Sequence, residues 1–138
     1  MLLSHLAEKA RERALRRLYK IARQKDTPQM RGLRLLRSWL SPQQCAQFDA
    51  FGYFDVIGGA SGKTYRIHFG TLANIQELGE DDAPRAGWCV VPHGDLVPGD
   101  VMLAQKIALE ASEYATLAVA NKLPPLPGNW RRDLRRPF

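Results

Sequence analysis

An α+β fold is predicted by three observations. Period-two runs bunch between residues 53 and 91, a helical apolar period covers about 100–121, and the chain starts with a long basic helix. Consecutive short strands with brief connections favour an antiparallel meander, and an amphipathic helix after them needs a sheet face to cover. The expectation is a small antiparallel four-stranded meander packed by one long C-terminal helix. A basic helical N-terminal extension and an irregular basic C-terminal tail flank it. The corresponding divisions are 1–40 for the basic arm, 41–123 for the α+β domain and 124–138 for the Pro/Arg-rich tail.

Residues 2–24 read as the first helix, because Leu3, Leu6, Ala10, Leu15 (or Ala14), Leu18, Ile21 and Ala22 recur near helical spacing without Gly or Pro. Asp26-Thr-Pro-Gln breaks it. A short basic segment, Arg31–Leu40, then carries Leu33, Leu36, Trp39 and Leu40 between Arg31, Arg34 and Arg37. Ser41-Pro-Gln-Gln44 combines an N-cap serine, proline at the first helical position and glutamine three residues after the cap, which predicts a helix over 42–50 closed by Gly52. Strands are expected at about 53–57, 64–69, 72–78 and 87–91, with an acidic turn-rich loop at 79–85. Asp100 is the expected N-cap of the long helix, whose apolar stripe is Leu103, Ile107, Ala111, Tyr114, Leu117 and Ala118. Asn121-Lys-Leu-Pro-Pro is expected to end that helix, and residues 126–138 have too few apolar side chains to build a core.

One stretch resembles an enzyme signature. Gly58-Gly-Ala-Ser-Gly62-Lys63-Thr64 approaches the phosphate-binding pattern G-x-x-x-x-G-K-[ST], but the first glycine stands one residue too close. The next residues, Thr64-Tyr-Arg-Ile-His-Phe69, alternate with period two, whereas a phosphate loop must run into a helix whose N-terminal amides face the phosphate. The loop therefore reads as a hairpin connection, its glycines taking the positive-φ turn positions.

The 138 residues bound one domain plus extensions, with enough apolar content for a modest core. The two cysteines, Cys45 and Cys89, are far apart and in no CxxC pair, which fits a reduced, cytoplasmic protein. No run of about 18 apolar residues is present. The start, Met1-Leu-Leu-Ser-His-Leu6, is too short and too soon charged for a signal peptide. Charge is unevenly placed. Residues 1–37 carry a net of +8, residues 131–138 a net of +3, and the middle a net of −5 within a total of +6. Two basic ends on an acidic domain point to a polyanionic partner or an acidic protein surface.

From Trp39 to about Leu123 the chain resembles small proteins of unassigned function that recur in bacterial, phage and metagenomic sequences. The words that carry the resemblance are Leu40-Ser-Pro-Gln-Gln, Gly52-Tyr-Phe-Asp-Val, Gly62-Lys-Thr-Tyr-Arg-Ile, Ala73-Asn-Ile, Trp88-Cys-Val-Val-Pro, Gly99-Asp-Val-Met-Leu-Ala-Gln-Lys-Ile-Ala-Leu-Glu and Val119-Ala-Asn. It covers roughly three-fifths of the chain and implies a phage or mobile-element product. It transfers no catalytic residue.

Three chemistries compete for these residues. Cys89 and His93 stand four apart, and Cys45, His68 and His5 could add ligands, but structural zinc draws on two close pairs and Cys89 reads as a small strand hydrophobe. A Cys–His nucleophile needs an electropositive niche that no spacing here defines. Glu80, Asp81 and Asp82 read as solvated loop charge. The chain is accordingly read as non-enzymatic, with no cofactor and no metal. Nucleic-acid binding has the broadest support, because clustered cations neutralise phosphates and release counterions. Its candidate residues are Arg11, Arg13, Arg16, Arg17, Lys20, Arg23, Arg31, Arg34, Arg37, Lys63, Arg66, Arg131, Arg132, Arg135 and Arg136, with Trp130 and Phe138 as stacking groups in the tail. The expected function is that of a nucleic-acid-associated accessory protein gripping DNA or RNA phosphates. A structural adaptor in a larger assembly is the alternative, and peripheral membrane contact through helix 2–24 a minor one.

Overall fold

The helices expected over 2–24 and 42–50 are present in the computed structural model, which describes residues 2–24 and 26–125, with side chains from residue 5 onward except 19 and 21–24. The first helix, α1, spans Leu2–Gln24. Thr27 then caps α2 (Pro28–Trp39), its hydroxyl accepting from Met30 N at 3.2 Å. The segment that breaks one helix therefore starts the next. Helix α3 (Pro42–Phe51) shows the expected capping box: Gln44 N donates to Ser41 Oγ and Ser41 N donates to Gln44 Oε1. Gly52 ends it at φ 76°, a left-handed position suited to glycine.

Five strands complete the fold: β1 (Tyr53–Ile57), β2 (Thr64–His68), β3 (Ile75–Leu78), β4 (Pro84–Cys89) and, beyond the helices α4 (Pro98–Ala111) and α5 (Glu113–Val119), β5 (Asn121–Leu123). They form one antiparallel sheet in the order β1-β2-β3-β4-β5. The α+β class holds, and two expectations are corrected. The sheet has five strands, because Asn121–Leu123 pairs with Cys89–Gly87 where a helix end was expected. Three residues are too few for alternation to register as a signal.

The expected single helix over 100–121 is two helices. The chain breaks at Ser112 (φ −146°, ψ 50°), one residue before Glu113, whose carboxylate is held beneath the β1–β2 loop. Asp100 lies in the first turn of α4. The N-cap is Val97, which offers no side-chain acceptor.

Strand ends also shift for identifiable reasons. Strand β3 starts at Ile75, because Asn74 uses its amide on the carbonyls of His68 and Gly70 and so holds residues 70–74 in a turn. Strand β4 ends at Cys89, and the next carbonyl, that of Val90, accepts from Gln105 Nε2 at 2.8 Å.

One sheet face carries Phe54, Val56, Tyr65, Ile67 and Ile75, all at most 1 % exposed. They meet Met30, Leu33 and Leu36 of α2 and Met102, Leu103 and Leu109 of α4. Helix α2, read from the sequence as part of the basic arm, thus supplies much of the core. It crosses α4 where Gly32 and Gly99 bring the two backbones together. Helix α3 runs beside β1 and covers its free edge. Gln44 Nε2 donates to Asp55 O (2.9 Å) and Asp55 N donates to Gln47 Oε1 (2.7 Å), so neither group is left to pair with another chain.

A buried amide pair ties α4 to the sheet. Asn74 Nδ2 donates to Gln105 Oε1 (2.8 Å) and Gln105 Nε2 donates to Asn74 Oδ1 (2.9 Å). Replacing Gln105 by leucine strips both bonds and leaves the Asn74 side-chain oxygen and the Val90 carbonyl without their donor. We expect a loss of about 2–4 kcal/mol in urea unfolding, since each buried orphan costs about 1–3 kcal/mol. Pairing Gln105→Leu with Asn74→Leu should cost less than the sum of the two, because the second change removes groups that the first has orphaned.

Candidate nucleic-acid interface and the hairpin loop

The amphipathic pattern of α1 gives it two unlike faces. Leu18 lies on the inner face and packs against the core. Arg13, Arg16, Arg17 and Lys20, at i, i+3, i+4 and i+7, share the outer face and are exposed. With Ala10 and Ala14 they line an open concavity of about 500 Å³. The small alanines leave room between the long cations. Arg13, Arg17 and Lys20 have no carboxylate within ion-pair distance among the described residues, and Arg16 reaches only Glu12, at 3.5 Å. That pair is solvent-exposed on both sides, so it holds Arg16 weakly.

The other predicted phosphate contacts divide sharply from these. Arg31 and Arg34 both reach Asp26, and the Arg34 hydrogen bond is the chief cause that lowers the Asp26 carboxyl below its ordinary value. Arg37 grips Asp49 through two nitrogens. Arg66 does the same to Asp55, Nε to Oδ1 at 2.9 Å and Nη2 to Oδ2 at 3.0 Å, and its guanidinium lies 4.1 Å from the centre of the Tyr53 ring. Lys63 Nζ is 3.7 Å from Glu77. Arg11, on the inner side of α1, sits over the Phe51 ring. The Arg23 side chain and Arg131, Arg132, Arg135 and Arg136, with Trp130 and Phe138, lie outside the described residues.

Comparison with protein-family models, curated proteins and solved structures returns no match.

Arg66 and His68 point from the sheet face opposite the core, as the strand alternation implies, but they belong to a closed cluster. Gly52 turns the chain so that Phe51 and Tyr53 stack with centroids 5.3 Å apart and planes 13° from parallel. His68 meets Tyr53 edge-on, and its Nε2 is hydrogen-bonded to Gln76 Oε1 at 2.8 Å. A bidentate guanidinium over an aromatic ring is a positioned structural group. Phosphate would have to displace Asp55 to use it.

The Gly58–Lys63 loop joins β1 and β2 as a hairpin, with Gly62 at φ 75°. Its amides are occupied. Ala60 N (3.0 Å) and Ser61 N (2.8 Å) donate to Glu113 Oε1, while the Ser61 hydroxyl and Tyr65 Oη (2.6 Å) donate to Oε2. Burial pushes the Glu113 carboxyl up, but these hydrogen bonds together outweigh it and bring it down to about 2. Burial and then the same carboxylate push the Tyr65 phenol well above its ordinary range. Sequence reasoning missed Glu113, which stands about fifty residues from the loop it fills and belongs to no motif that would mark it.

Among the described residues no three His, Cys, Asp or Glu side chains are grouped to hold a metal ion, and no helix is long and apolar enough to cross a membrane. His93 is exposed and Cys89 is half-buried, while Cys45 Sγ faces the Arg37 carbonyl at 3.5 Å.

Proposed function

We propose that this protein is a non-enzymatic, cytoplasmic, nucleic-acid-associated accessory protein of phage or mobile-element origin that grips phosphates through the outer face of α1. The observation that carries this reading is the contrast between two sets of cations. Arg31, Arg34, Arg37, Lys63 and Arg66 lie beside the protein's own carboxylates, whereas Arg13, Arg17 and Lys20 form an outward row with no carboxylate beside it among the described residues. An unpaired row neutralises phosphates and so releases the nucleic acid's condensed counterions; a cation already paired with a carboxylate does not.

The test is a salt series with labelled single- and double-stranded DNA and RNA. Replacing Arg13, Arg17 and Lys20 by alanine should lower the salt slope by about one unit per residue and weaken binding evenly across sequences. Replacing Arg31 and Arg34 by alanine should leave the slope nearly unchanged. Equal slopes for the two variants would sink the reading.

A second reading has one observation in its favour. Leu35 and Trp39 sit one turn apart on α2 and are 48 % and 59 % exposed. An apolar strip beside Arg31 suits an adaptor whose helices dock on a neighbouring subunit. Trp39→Ala would abolish assembly in that case and leave the nucleic-acid salt slope alone.

A further inference from the structure

The loop from Gly58 to Lys63 turns its polar groups inward, onto a single carboxylate. Two backbone amides, one serine hydroxyl and one phenol converge on Glu113, and the described contacts include no cation. Carboxylate oxygens usually owe such a setting to arginine or lysine; here neutral donors alone supply it. The glycines are part of the arrangement. A Cβ on Gly58 would fall on the Glu113 carboxyl group, and one on Gly59 would fall on the Glu110 carbonyl oxygen. Gly58 thus serves the close approach of backbone to the carboxylate and Gly59 the close approach of the loop to the α4 backbone, and neither leaves room for a side chain.

We propose that this loop is an oxyanion-binding site whose resident ligand is the protein's own Glu113, and that a small free oxyanion takes its place when that side chain is withdrawn. The donors suit any such group, because each points at where oxygen lies and none tests what the oxygen is bonded to. Lys63 closes the loop with its ammonium 3.7 Å from Glu77, so the donors themselves are all neutral. The resident ligand sits on a short element. Helix α5 has only seven residues, begins at the break at Ser112, and leaves Tyr114 65 % and Val119 83 % exposed. Its described anchors besides Glu113 are the buried Thr116, whose hydroxyl donates to the Ala108 carbonyl, partly buried Leu117 and the β5 strand that follows it. This inference stands apart from the proposed role of α1 and shares no residue with it.

Chemical rescue tests it. Glu113→Ala empties the site while keeping the loop donors, and formate and inorganic phosphate are the probes, each against sodium chloride at matched ionic strength. The melting temperature of the variant should rise with the logarithm of either oxyanion's concentration once that exceeds the dissociation constant, by about 5 °C at about ten times that constant, as expected when a ligand binds only the folded state. Wild-type protein, whose site is filled, should show no such rise above the sodium chloride control. Glu113→Gln, which fills the space with an amide, should behave like wild type. Ala60 and Ser61 amide resonances of the alanine variant should move along with the thermal response.

A larger rise with phosphate than with formate would identify phosphate-bearing molecules as the better ligands, and the reverse would identify carboxylates. If Glu113→Ala is unfolded in plain buffer, folding driven by formate or phosphate is the supporting result, and no folding up to their solubility limits overturns the proposal. An identical response in all three proteins also overturns it, since the anions would then act on the surface at large.

Discussion

Gly99→Ala is expected to destabilise the protein by about 3 kcal/mol or more, the size of effect seen when a core is overpacked against rigid atoms. A glycine in an ordinary helix position argues for the opposite sign. Alanine there normally adds about 0.5–1 kcal/mol, by limiting the unfolded chain and raising helix propensity. Here the added methyl would fall on the Gly32 carbonyl carbon and oxygen and come within 2.6 Å of Leu33 N. All three are backbone atoms of α2, so no rotamer change makes room. The helices must move apart, and α2 and α4 hold Leu33, Leu36, Met102 and Leu103 between them and the sheet.

Gly32→Ala is the control on the facing helix. Its methyl would meet Val97 Cγ2 at 2.6 Å and Asp100 Oδ1 at 3.2 Å, which are side-chain atoms, so the cost should be smaller. Urea midpoints with unchanged m-values would report the two losses directly. A neutral or stabilised Gly99→Ala protein would mean that the two backbones do not touch at this crossing.

The elements that local chemistry determines are legible in the sequence. The capping box at Ser41 and Gln44, the stop at Gly52 and the hairpin between Tyr53–Ile57 and Thr64–His68 all depend on residues within a few positions of one another. The features that stay hidden depend on distant partners. Gly99 looks like an ordinary residue beside Asp100, and only the approach of α2 gives it meaning. Strand β5 is three residues that pair because β4 presents an edge, and no alternation announces it.

The arginines divide in the same way. Arg66 and Asp55 face each other across a hairpin, so their pairing is fixed once the register is known. Arg37 and Asp49 meet only because α2 and α3 pack at a particular angle. Counting cations along the chain treats a paired guanidinium and a free one alike. The structure sorts the predicted contacts, and Arg13, Arg17 and Lys20 of α1 are the row among them with no carboxylate in ion-pair distance among the described residues.

Glu113 sets the second large effect, an acid-linked loss of stability. Its carboxyl has an ordinary value of 4.5 and is brought down to about 2 in the folded protein. A depressed folded-state value contributes stability that is fully present above 4.5 and disappears as pH falls through 2. The shift corresponds to about 3 kcal/mol at neutral pH. Asp26 is also lowered by its arginines, so the wild-type curve alone does not isolate Glu113.

Glu113→Gln does isolate it. The glutamine oxygen still accepts from Ala60 and Ser61, and its amide can donate to the Ser61 and Tyr65 oxygens, so the fold should survive with a loss of about 2 kcal/mol at pH 7. Between pH 4.5 and 2 the stabilities of the two proteins should converge, as the wild type gives up what the variant never had. Tyr65→Phe removes one donor to Oε2 and should cost about 1–2 kcal/mol at neutral pH. Its acid loss should begin at a lower total stability and span a narrower pH range, because the remaining donors depress the carboxyl less. Chemical denaturation at half-unit pH steps measures all three. A stability gap between wild type and Glu113→Gln that stays constant from neutral pH down to about pH 2 would mean that the carboxylate is not held by these donors. Convergence below 4.5 would tie the hairpin, α5 and the last strand of the sheet to one buried charge.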